Sequence, residues 1–294
     1  MNKFSISQLQ QFSGIKAHTI RMWESRYKAL TPIRSKGNTR YYDNIQLRRL
    51  LNIVSLLNSE YKISELCAMT DEELYKILES RLKEDKPQDE LSAYFVSQLI
   101  AAGMSYDEAH FEKIFSTMVL KFGIINGYVN VIYPLLVRIG LMWTRDTMLP
   151  SQEHFISNLI RQKLFTAIDA LPPALENADS WMLFLPENEF HELGLLFSHY
   201  LLRHAGRNVI YLGSNVPYNT LHQAVARIKP THMLLFLVHN DEPEVTQEYV
   251  SNLSKDFNGV QIYLAGYTSL VTKLDLPSNF RILKSSDELQ QMID

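Results

Sequence analysis

The segment His18-Thr-Ile-Arg-Met-Trp-Glu-Ser-Arg-Tyr27 decides the fold of the N-terminal part of the chain. Its apolar residues recur at helical spacing, with Ile20 and Trp23 on one face and Arg21 among polar side chains on the other. Another amphipathic helix is predicted over Phe4–Phe12, just ahead of this segment. Two short helices in this order favour a helix-turn-helix, in which the second helix can lie in the major groove of DNA.

The stretch Arg34-Ser-Lys-Gly-Asn-Thr-Arg-Tyr-Tyr42 predicts a two-stranded β-wing after this helix. Gly37-Asn38 forms the turn between two short extended arms, and Arg34, Lys36 and Arg40 surround that turn. The basic side chains of such a wing contact the phosphates of a DNA duplex. The residues that we expect to contact DNA are His18, Thr19, Arg21, Trp23, Arg26, Tyr27, Arg34, Asn38, Arg40 and Tyr41.

The distribution of charge also points to DNA. Residues 1–50 hold ten of the 29 Lys and Arg and two of the 32 Asp and Glu, so this part carries +8 and the remainder −11. A basic head on an acidic body indicates a polyanionic partner for the head alone. We therefore expect a double-stranded DNA operator as the partner.

The composition argues against several classes of protein. Cys67 is the only cysteine, so no internal disulfide can form, which fits a reducing compartment. The sequence starts without an apolar signal core, and no apolar run approaches the ~20 residues of a membrane span. No phosphate-binding loop and no Ser/His/Asp arrangement stands out. We therefore expect a cytoplasmic protein that has no membrane partner and is not an enzyme.

The sequence predicts a multidomain α and α/β protein. Residues 1–80 form the head, and the charged stretch 81–90 is typical of a linker. Residues 91–173 carry four helical segments, which predict a four-helix bundle that caps the next domain. Residues 179–294 alternate strands and helices, which predicts a flavodoxin-like sheet of five parallel strands. The predicted strands are Trp181–Leu185, Asn208–Leu212, His232–Val238, Gln261–Ala265 and Arg281–Lys284.

The head resembles the MerR family of transcription regulators. The resemblance is collinear and runs from Phe4 to about Leu57. It rests on Gly14-Ile15, His18-Thr19-Ile20-Arg21, Trp23-Glu24, Arg26-Tyr27, Leu30-Thr31-Pro32 and Gly37-Asn38-Thr39-Arg40-Tyr41-Tyr42. It implies a DNA-binding transcription regulator, with RNA polymerase as a further partner.

One departure from this family concerns assembly. Many MerR relatives dimerise through a long helix after the wing, whereas residues 60–80 here hold only short helical segments, broken near Met69-Thr70-Asp71. We therefore expect residues 1–80 to be monomeric by themselves. A homo-oligomer, dimer or tetramer, is expected to form through residues 91–294, called here the sensor half.

The stretch Glu189-Phe190-His191-Glu192-Leu193-Gly194 follows the first predicted strand of the sensor half and opens a helix. An imidazole such as that of His191 can coordinate a metal, and a carboxylate two residues earlier can orient the ring and raise its basicity. Gly194 allows the backbone to lie close to a ligand. A second motif lies in the predicted bundle, where Trp143 is followed after nine residues by Glu153-His154.

These two motifs resemble the cobalamin-binding regulators of the same family, the CarH/LitR photoreceptor type. The resemblance implies adenosylcobalamin or methylcobalamin between cap and sheet, with His191 as the lower ligand of cobalt. It also implies that the state of the ligand alters oligomerisation and so DNA affinity. The cofactor-binding residues expected on this basis are Trp143, Glu153, His154, Glu189, His191, Gly194, Ser214 and Gly266.

Other positions depart from the cobalamin-binding pattern. Thr144 stands where light-sensing members have a His that takes the upper cobalt position. Phe236-Leu237-Val238 replaces a small, polar segment and Ala265-Gly266 replaces a Gly-Gly pair, both of which admit the nucleotide tail of the cofactor. Phe236 is therefore expected to narrow the slot for the tail. Ser214 and Thr268-Ser269 remain candidates for contacts with the tail.

Two other interpretations stay open. In the first, a regulator of the same shape has lost cobalamin and responds to a protein or to another small ligand, which Phe236 and Thr144 favour. In the second, the chain is a cobalamin carrier enzyme, as in methyl transfer or mutase reactions. The DNA-binding head and the absence of a substrate barrel argue against the second.

Overall fold

A computed structural model of the chain describes residues 3–34, 37–57, 60–83, 88–143, 148–238, 243–266, 271 and 273–293. The chain forms two compact units, Met1–Ile156 and Ser157–Asp294. Three predictions fall outside the described residues: the role of Lys36 in the wing, the departure at Thr144, and a tail contact by Thr268-Ser269.

The head contains the predicted helix-turn-helix and wing, which confirms this part of the fold. Ser5 and Gln8 form a reciprocal capping box at the start of the first helix, and Gly14 ends it with a φ of 74°, which glycine adopts readily. The two strands of the wing pair antiparallel. The elements are α1 (Ile6–Ser13), α2 (Ala17–Tyr27), β1 (Ile33–Arg34), β2 (Arg40–Tyr41) and α3 (Asn44–Ser55).

Two short helices, α4 (Ile63–Ala68) and α5 (Asp71–Lys83), follow α3 in place of one long helix, as predicted. Arg49 of α3 stabilises the break between them. Its guanidinium donates to the carbonyl oxygen of Met69 at 2.9 Å and to the carboxylate of Asp71 at 2.5 Å. The side chain of Arg49 thus satisfies backbone groups that a continuous helix would have paired internally.

Four α-helices occupy the region in which the bundle was predicted, although the division between the two compact units falls inside the fourth helix, after Ile156. They are α6 (Gln88–Ser105), α7 (Glu108–Gly127), α8 (Tyr133–Trp143) and α9 (Pro150–Asp169). A π-helix over Tyr128–Ile132 joins α7 to α8, so no loop separates them. Gly123 has a φ of 73° and bends α7 shortly before this π-helix.

Helix α3 of the head packs along α6. Arg48 Nη2 lies 3.1 Å from Oδ2 of Asp107, and Gln98 donates to Asn52 at 2.8 Å. Polar contacts between side chains distant in sequence therefore accompany this apolar packing. The head and the neighbouring helices share one compact unit.

A second contact joins α8 to α1. The guanidinium of Arg138 donates to the carbonyl oxygen of Phe12, near the end of α1. Burial lowers the pKa of the Arg138 guanidinium. The contact gives a carbonyl in the last turn of α1 a charged donor, since such carbonyls have no partner within the helix.

The stretch Glu108–Trp143 is long and apolar enough to cross a membrane, since a window of 18 residues within it has a mean hydropathy of 1.4. It is the one such stretch found in the described residues. It exceeds the apolar length expected from the sequence. Length and composition alone are weak grounds for a membrane span, because core helices of soluble proteins meet the same criterion. Here the stretch is bent at Gly123 and contributes buried residues such as Phe111 and Val131 to the first unit.

Five parallel strands form the sheet of the second unit. Their order in space is β4-β3-β5-β6-β7, which is the 2-1-3-4-5 order of flavodoxin-like folds and confirms the predicted fold class. The strands are β3 (Ser180–Pro186), β4 (Asn208–Val216), β5 (His232–Leu237), β6 (Gln261–Gly266) and β7 (Phe280–Ile282). The helices are α10 (Leu193–His204), α11 (Tyr218–Ile228), α12 (Pro243–Asp256) and α13 (Ser286–Ile293).

Three boundaries differ from the prediction and bear on the site. Strand β4 extends to Val216, so Ser214 lies within the strand and not after it. Strand β6 includes Gly266 as its last residue. Helix α10 begins at Leu193, so His191 lies in the turn before the helix and does not open it.

Strand β3 lies between β4 and β5 and is buried from Trp181 to Pro186, as expected of a parallel strand covered on both faces. Met182 and Phe184 of β3 pack with Leu235 of β5 in the core on one face. The strand order reverses between β3 and β5, and open parallel sheets bind ligands at the carboxyl edge of such a switch point. The turn that carries His191 follows β3 at this edge.

Candidate functional site

The polar face of α2 and the turn of the wing are exposed to solvent. The exposed residues among those predicted to contact DNA are His18, Arg21, Arg26, Arg34 and Asn38. The half-buried ones are Thr19, Tyr27, Arg40 and Tyr41. Cationic side chains on both the helix and the wing are therefore available to a polyanion.

Trp23 requires a correction. Its side chain is only 6% exposed and lies with Ile20 on the inner face of α2. An indole buried in this way contributes to the core of the head, so we withdraw Trp23 from the expected DNA contacts.

Glu24 connects the wing to α2. Its carboxylate accepts a hydrogen bond from the buried Tyr42 hydroxyl at 2.8 Å and lies 3.6 Å from Nε of Arg40. Burial, together with the hydrogen bond to Glu24, raises the pKa of Tyr42. At the tip of the wing, Arg34 donates to the side-chain oxygen of Asn38 at 2.5 Å. These contacts hold basic side chains of the wing beside the second helix.

Glu189 organises the turn after β3. Its Oε1 accepts from Nδ1 of His191 at 2.6 Å and from the backbone N–H groups of Phe190 at 2.9 Å and His191 at 3.0 Å. Its Oε2 accepts from the backbone N–H of Val238 at 2.8 Å, just after β5. Glu189 is only 3% exposed, and these donors compensate the burial of its charge. The imidazole of His191 is thereby fixed beside the switch point.

The side chain of His191 is 61% exposed even though its partner Glu189 is buried. Donation from Nδ1 to a carboxylate makes Nε2 the basic nitrogen of the neutral ring, which is the form that coordinates a metal. No group of three or more His, Cys, Asp or Glu in the described residues could hold a metal ion alone. A metal at His191 would have to bring most of its ligands, as cobalt in a corrin ring does.

Sequence reasoning missed the partners of Glu192. Arg161 of α9 donates from Nε to Oε1 of Glu192 at 2.5 Å, and the hydroxyl of Tyr211 donates to Oε2 at 3.2 Å. Burial, reinforced by Glu192, raises the pKa of Tyr211. The motif itself contains Glu192, but nothing in the sequence pairs it with residues 31 and 19 positions away. The turn that carries His191 is therefore held on both sides, by Glu189 and by Glu192.

Gly194 lies against an aromatic ring. A Cβ atom built on Gly194 would be 2.7 Å from Cε1 and 3.2 Å from Cδ1 of Phe236 in β5. A Cβ on Gly266 would be 1.9 Å from the carbonyl oxygen of Leu237, so this position requires glycine. Both predicted glycines and Ser214 lie toward the carboxyl edge of the sheet, on different elements.

In the first unit, Glu153 and His154 form a second carboxylate–imidazole pair, with 2.7 Å between Oε2 and Nδ1. The side chain of His154 is 71% exposed. Trp143 is 56% exposed at the end of α8, which is unusual for an indole and makes it available to a ligand or partner. Met142, its neighbour, is buried.

These residues fit one part of cobalamin and do not fit another. The Glu189–His191 pair could supply an oriented imidazole as a ligand to the cobalt of a corrinoid. The space between α10 and β5 is taken by the ring of Phe236 against Gly194. A group placed beside Gly194, such as the nucleotide tail that the resemblance implies there, would meet this ring.

Comparisons with known proteins agree with this architecture. Residues 4–73 match the family model of the MerR HTH family regulatory protein, and residues 96–167 match that of a B12 binding domain. The chain is 26% identical over 270 residues to the HTH-type transcriptional repressor CarH of Myxococcus xanthus, covering 90% of this chain and 88% of that protein. It is 28% identical over 242 residues to the repressor CarA of the same organism, covering 81% and 78%.

Among solved structures, the monomethylamine corrinoid protein of Methanosarcina barkeri is similar, with a TM-score of 0.50 and 12% identity. The match covers 66% of this chain and 94% of that protein. At this identity the likeness shows the fold alone.

The chain therefore combines a segment similar to the MerR helix-turn-helix regulators with a segment similar to a B12 binding domain. It is similar, over most of its length, to the repressors CarH and CarA. The resemblance inferred from the motifs of the sequence is confirmed.

Proposed function

We propose that this chain is a transcription regulator that binds a DNA operator through its head and senses a cobalamin-type corrinoid through His191. The observation that carries the proposal is the 2.6 Å pairing of His191 with the buried Glu189 at the switch point of the sheet. A regulator needs a site whose occupancy follows the concentration of its ligand. An imidazole oriented by a carboxylate can act as a ligand to cobalt in such a site.

The residues of the chain have separate roles in this proposal. His191 coordinates cobalt from below, and Glu189 orients its ring. The bound corrin supplies the metal and the equatorial ligands. Arg161 and Tyr211 hold Glu192 and so limit the motion of the turn. In the head, Arg21 and Arg26 contact the duplex, together with Arg34 and Arg40 on the wing.

The roles proposed for three residues of the helical region rest on the resemblance to the cobalamin-binding regulators. Trp143, Glu153 and His154 are proposed to contact the upper group of the cofactor. The exposure of Trp143 and His154 supports this role, since a buried side chain would not be available. Trp143→Ala should spare ligation by His191 but discriminate less between adenosylcobalamin and methylcobalamin.

We also propose how binding is read out. The ligand changes the oligomeric state through the sensor half, and two tethered heads then bind an operator far more tightly than one, because pairing raises their effective concentration. The names of the repressors CarH and CarA favour repression. The regulator is proposed to act in the cytoplasm and to catalyse no reaction. RNA polymerase is a further proposed partner.

Two measurements on the full chain test this proposal. An absorption spectrum with adenosylcobalamin, in darkness and after illumination, should show an imidazole-ligated corrinoid, and His191→Ala should abolish that signature. Gel-shift titration with operator DNA should then show a different affinity with and without the corrinoid. The proposal fails if wild-type protein takes up no corrinoid at tens of micromolar, or if His191→Ala has an unchanged spectrum.

A second candidate function is a regulator of the same architecture that responds to another small ligand or to a protein. The contact between Phe236 and Gly194 favours this candidate, because it removes the room for the cobalamin tail. Absence of uptake for every corrinoid offered, combined with intact DNA binding, would support it.

A further inference from the structure

The space beside the candidate cobalt ligand is closed by one side chain. The ring of Phe236 lies on the backbone of the first turn of α10, since a single methyl group added at Gly194 would meet it at 2.7 Å. Phe236 is itself half-buried, at the same edge of the sheet as His191. The ring of Phe236 therefore lies between the carboxyl edge of the sheet and the interior region where α10 packs on β5.

The strand that carries Phe236 is fixed on both sides of the ring. After it, the N–H of Val238 donates to the buried carboxylate of Glu189 at 2.8 Å. Beside it, Gly266 lies so close to Leu237 that even a Cβ atom would overlap the carbonyl oxygen. Strand β5 cannot move away from α10 without breaking these contacts, so the backbone that carries the ring is held against α10.

We infer that Phe236 is a specificity residue that closes the slot between α10 and β5, so that the chain prefers corrinoids without a nucleotide tail to complete cobalamin. This inference rests on the proposed function, because it requires His191 to take the lower position on cobalt.

The chemistry of ligand exchange explains the expected preference. To hold the cobalt of complete cobalamin, the imidazole of His191 would have to replace the base of the nucleotide tail as a ligand. The bond gained to His191 would then be matched by the loss of the bond to that base. No electron is transferred. In a corrinoid without a tail, His191 displaces only a water molecule.

The closed slot between α10 and β5 determines whether the displaced base would be enclosed by protein or exposed to water. A slot that enclosed the base would offset the lost bond through burial and hydrogen bonds. With Phe236 against Gly194, the base and its ribose phosphate are left in water, and no contact offsets the loss. Complete cobalamin is therefore bound more weakly than a tail-free corrinoid.

The test compares aquocobinamide, which lacks the tail, with hydroxocobalamin, each titrated into the full chain by absorbance. Wild-type protein should bind cobinamide at least ~10-fold more tightly. Phe236→Ser should reduce this ratio by about 10-fold, mainly by tightening the binding of cobalamin. Phe190→Ser, which removes an exposed ring from the neighbouring turn, should leave the ratio unchanged.

A second pair of variants tests the contact itself by thermal unfolding. Gly194→Ala should lower the melting temperature of the wild-type chain, because the added methyl group meets the ring. In the Phe236→Ser background the same change should raise it, since alanine is favoured over glycine in a helix. This cycle also reports whether the Phe236→Ser chain is folded.

The outcomes separate the two claims. Equal affinities for the two corrinoids, a preference for cobalamin, or an unchanged ratio in folded Phe236→Ser would overturn the inference while leaving the proposed function intact. Absence of binding for both corrinoids in wild-type protein would overturn the proposed function, and the inference with it.

Discussion

Arg161 in α9 and Glu192 in the turn before α10 form an ion pair, with 2.5 Å between Nε and Oε1. Both side chains are largely buried, 29% and 15% exposed, so solvent screens the pair less than at an open surface. Glu192 directly follows His191 in the chain. The pair therefore anchors the chain just after the candidate cobalt ligand, whereas Glu189 anchors it just before.

Arg161→Ala should weaken the binding of aquocobinamide about 3- to 10-fold, because a half-buried ion pair contributes about 1 kcal/mol and its loss frees the turn. Absorbance titration of the full chain measures this effect. Gln162→Ala, on an exposed neighbour in the same helix, is the control and should bind normally. Equal affinities for the two variants would show that Arg161 does not position the turn.

Glu189→Gln should destabilise the chain and weaken ligation together. A Gln side chain has one acceptor oxygen, so either the Val238 N–H or the donors at Oε1 lose their acceptor. An unsatisfied buried donor costs about 1–3 kcal/mol, which urea unfolding would detect. Ligation by His191 should also weaken in folded protein, since an amide raises the basicity of the ring less than a carboxylate does. Glu187→Gln, on the exposed neighbour, should change neither quantity.

Arg26→Ala and Arg34→Ala should each weaken binding to operator DNA and to unrelated DNA. Each exposed cation that contacts a phosphate displaces counterions, so its removal should reduce the slope of log affinity against log salt by about 0.9. Gel-shift titrations at several salt concentrations measure both quantities. Arg227→Ala, on an exposed arginine of the second unit, is the matched control. Unchanged salt slopes for Arg26→Ala and Arg34→Ala would remove these residues from the interface.

His199 makes stability depend on pH. It is 8% exposed and stacks on Tyr211 with 5.1 Å between ring centroids, and neither ring nitrogen has a hydrogen-bond partner among the described residues. Burial, with a smaller effect of the charge on Arg203, lowers the pKa of His199 from 6.5 to about 4. Because the pKa of His199 is lower in the folded state than in the unfolded state, protons bind preferentially to the unfolded chain below pH 6.5. The contribution of His199 to the free energy of unfolding is therefore complete above pH 6.5 and is lost as the pH falls toward 4.

The difference in pKa corresponds to about 3 kcal/mol, and His199→Phe should remove this dependence while keeping the stacking. Urea unfolding of the full chain at pH 7, 6 and 5 compares the two proteins. The free energy of unfolding should fall less steeply with acid in His199→Phe than in wild type. His204→Gln, on the exposed surface, should follow wild type. Parallel curves for His199→Phe and wild type would contradict the assignment.

Much of the fold could be predicted from local patterns. Helical spacing placed Trp23 on the inner face of α2, which its burial confirms, although Trp23 was also counted among the DNA contacts. Alternation of strands and helices gave the five-stranded parallel sheet, because each crossover must pack on that sheet. The Glu189–His191 pair could be predicted from the sequence, since the two partners are only two positions apart in one turn.

The remaining features depend on contacts between distant parts of the chain. Arg138 and Phe12 are 126 positions apart, and nothing in either neighbourhood signals their contact. Phe236 was recognised as bulky for its position, but only the structure shows its ring against Gly194. The extent of β4 past Leu212 was missed because Gly213 normally signals a strand end, whereas here it accompanies an irregularity in the pairing with β3.

The packing of α3 along α6 limits how this protein can be engineered. If the chain were cut in the charged stretch after α5 and another sensor domain were fused to the head, the face of α3 that packs on α6 would be exposed to solvent. The anchor of Arg138 on Phe12 would be lost as well. Retargeting to a new promoter is better attempted by exchanging the solvent-facing side chains of α2 in place, with the rest of the scaffold left whole.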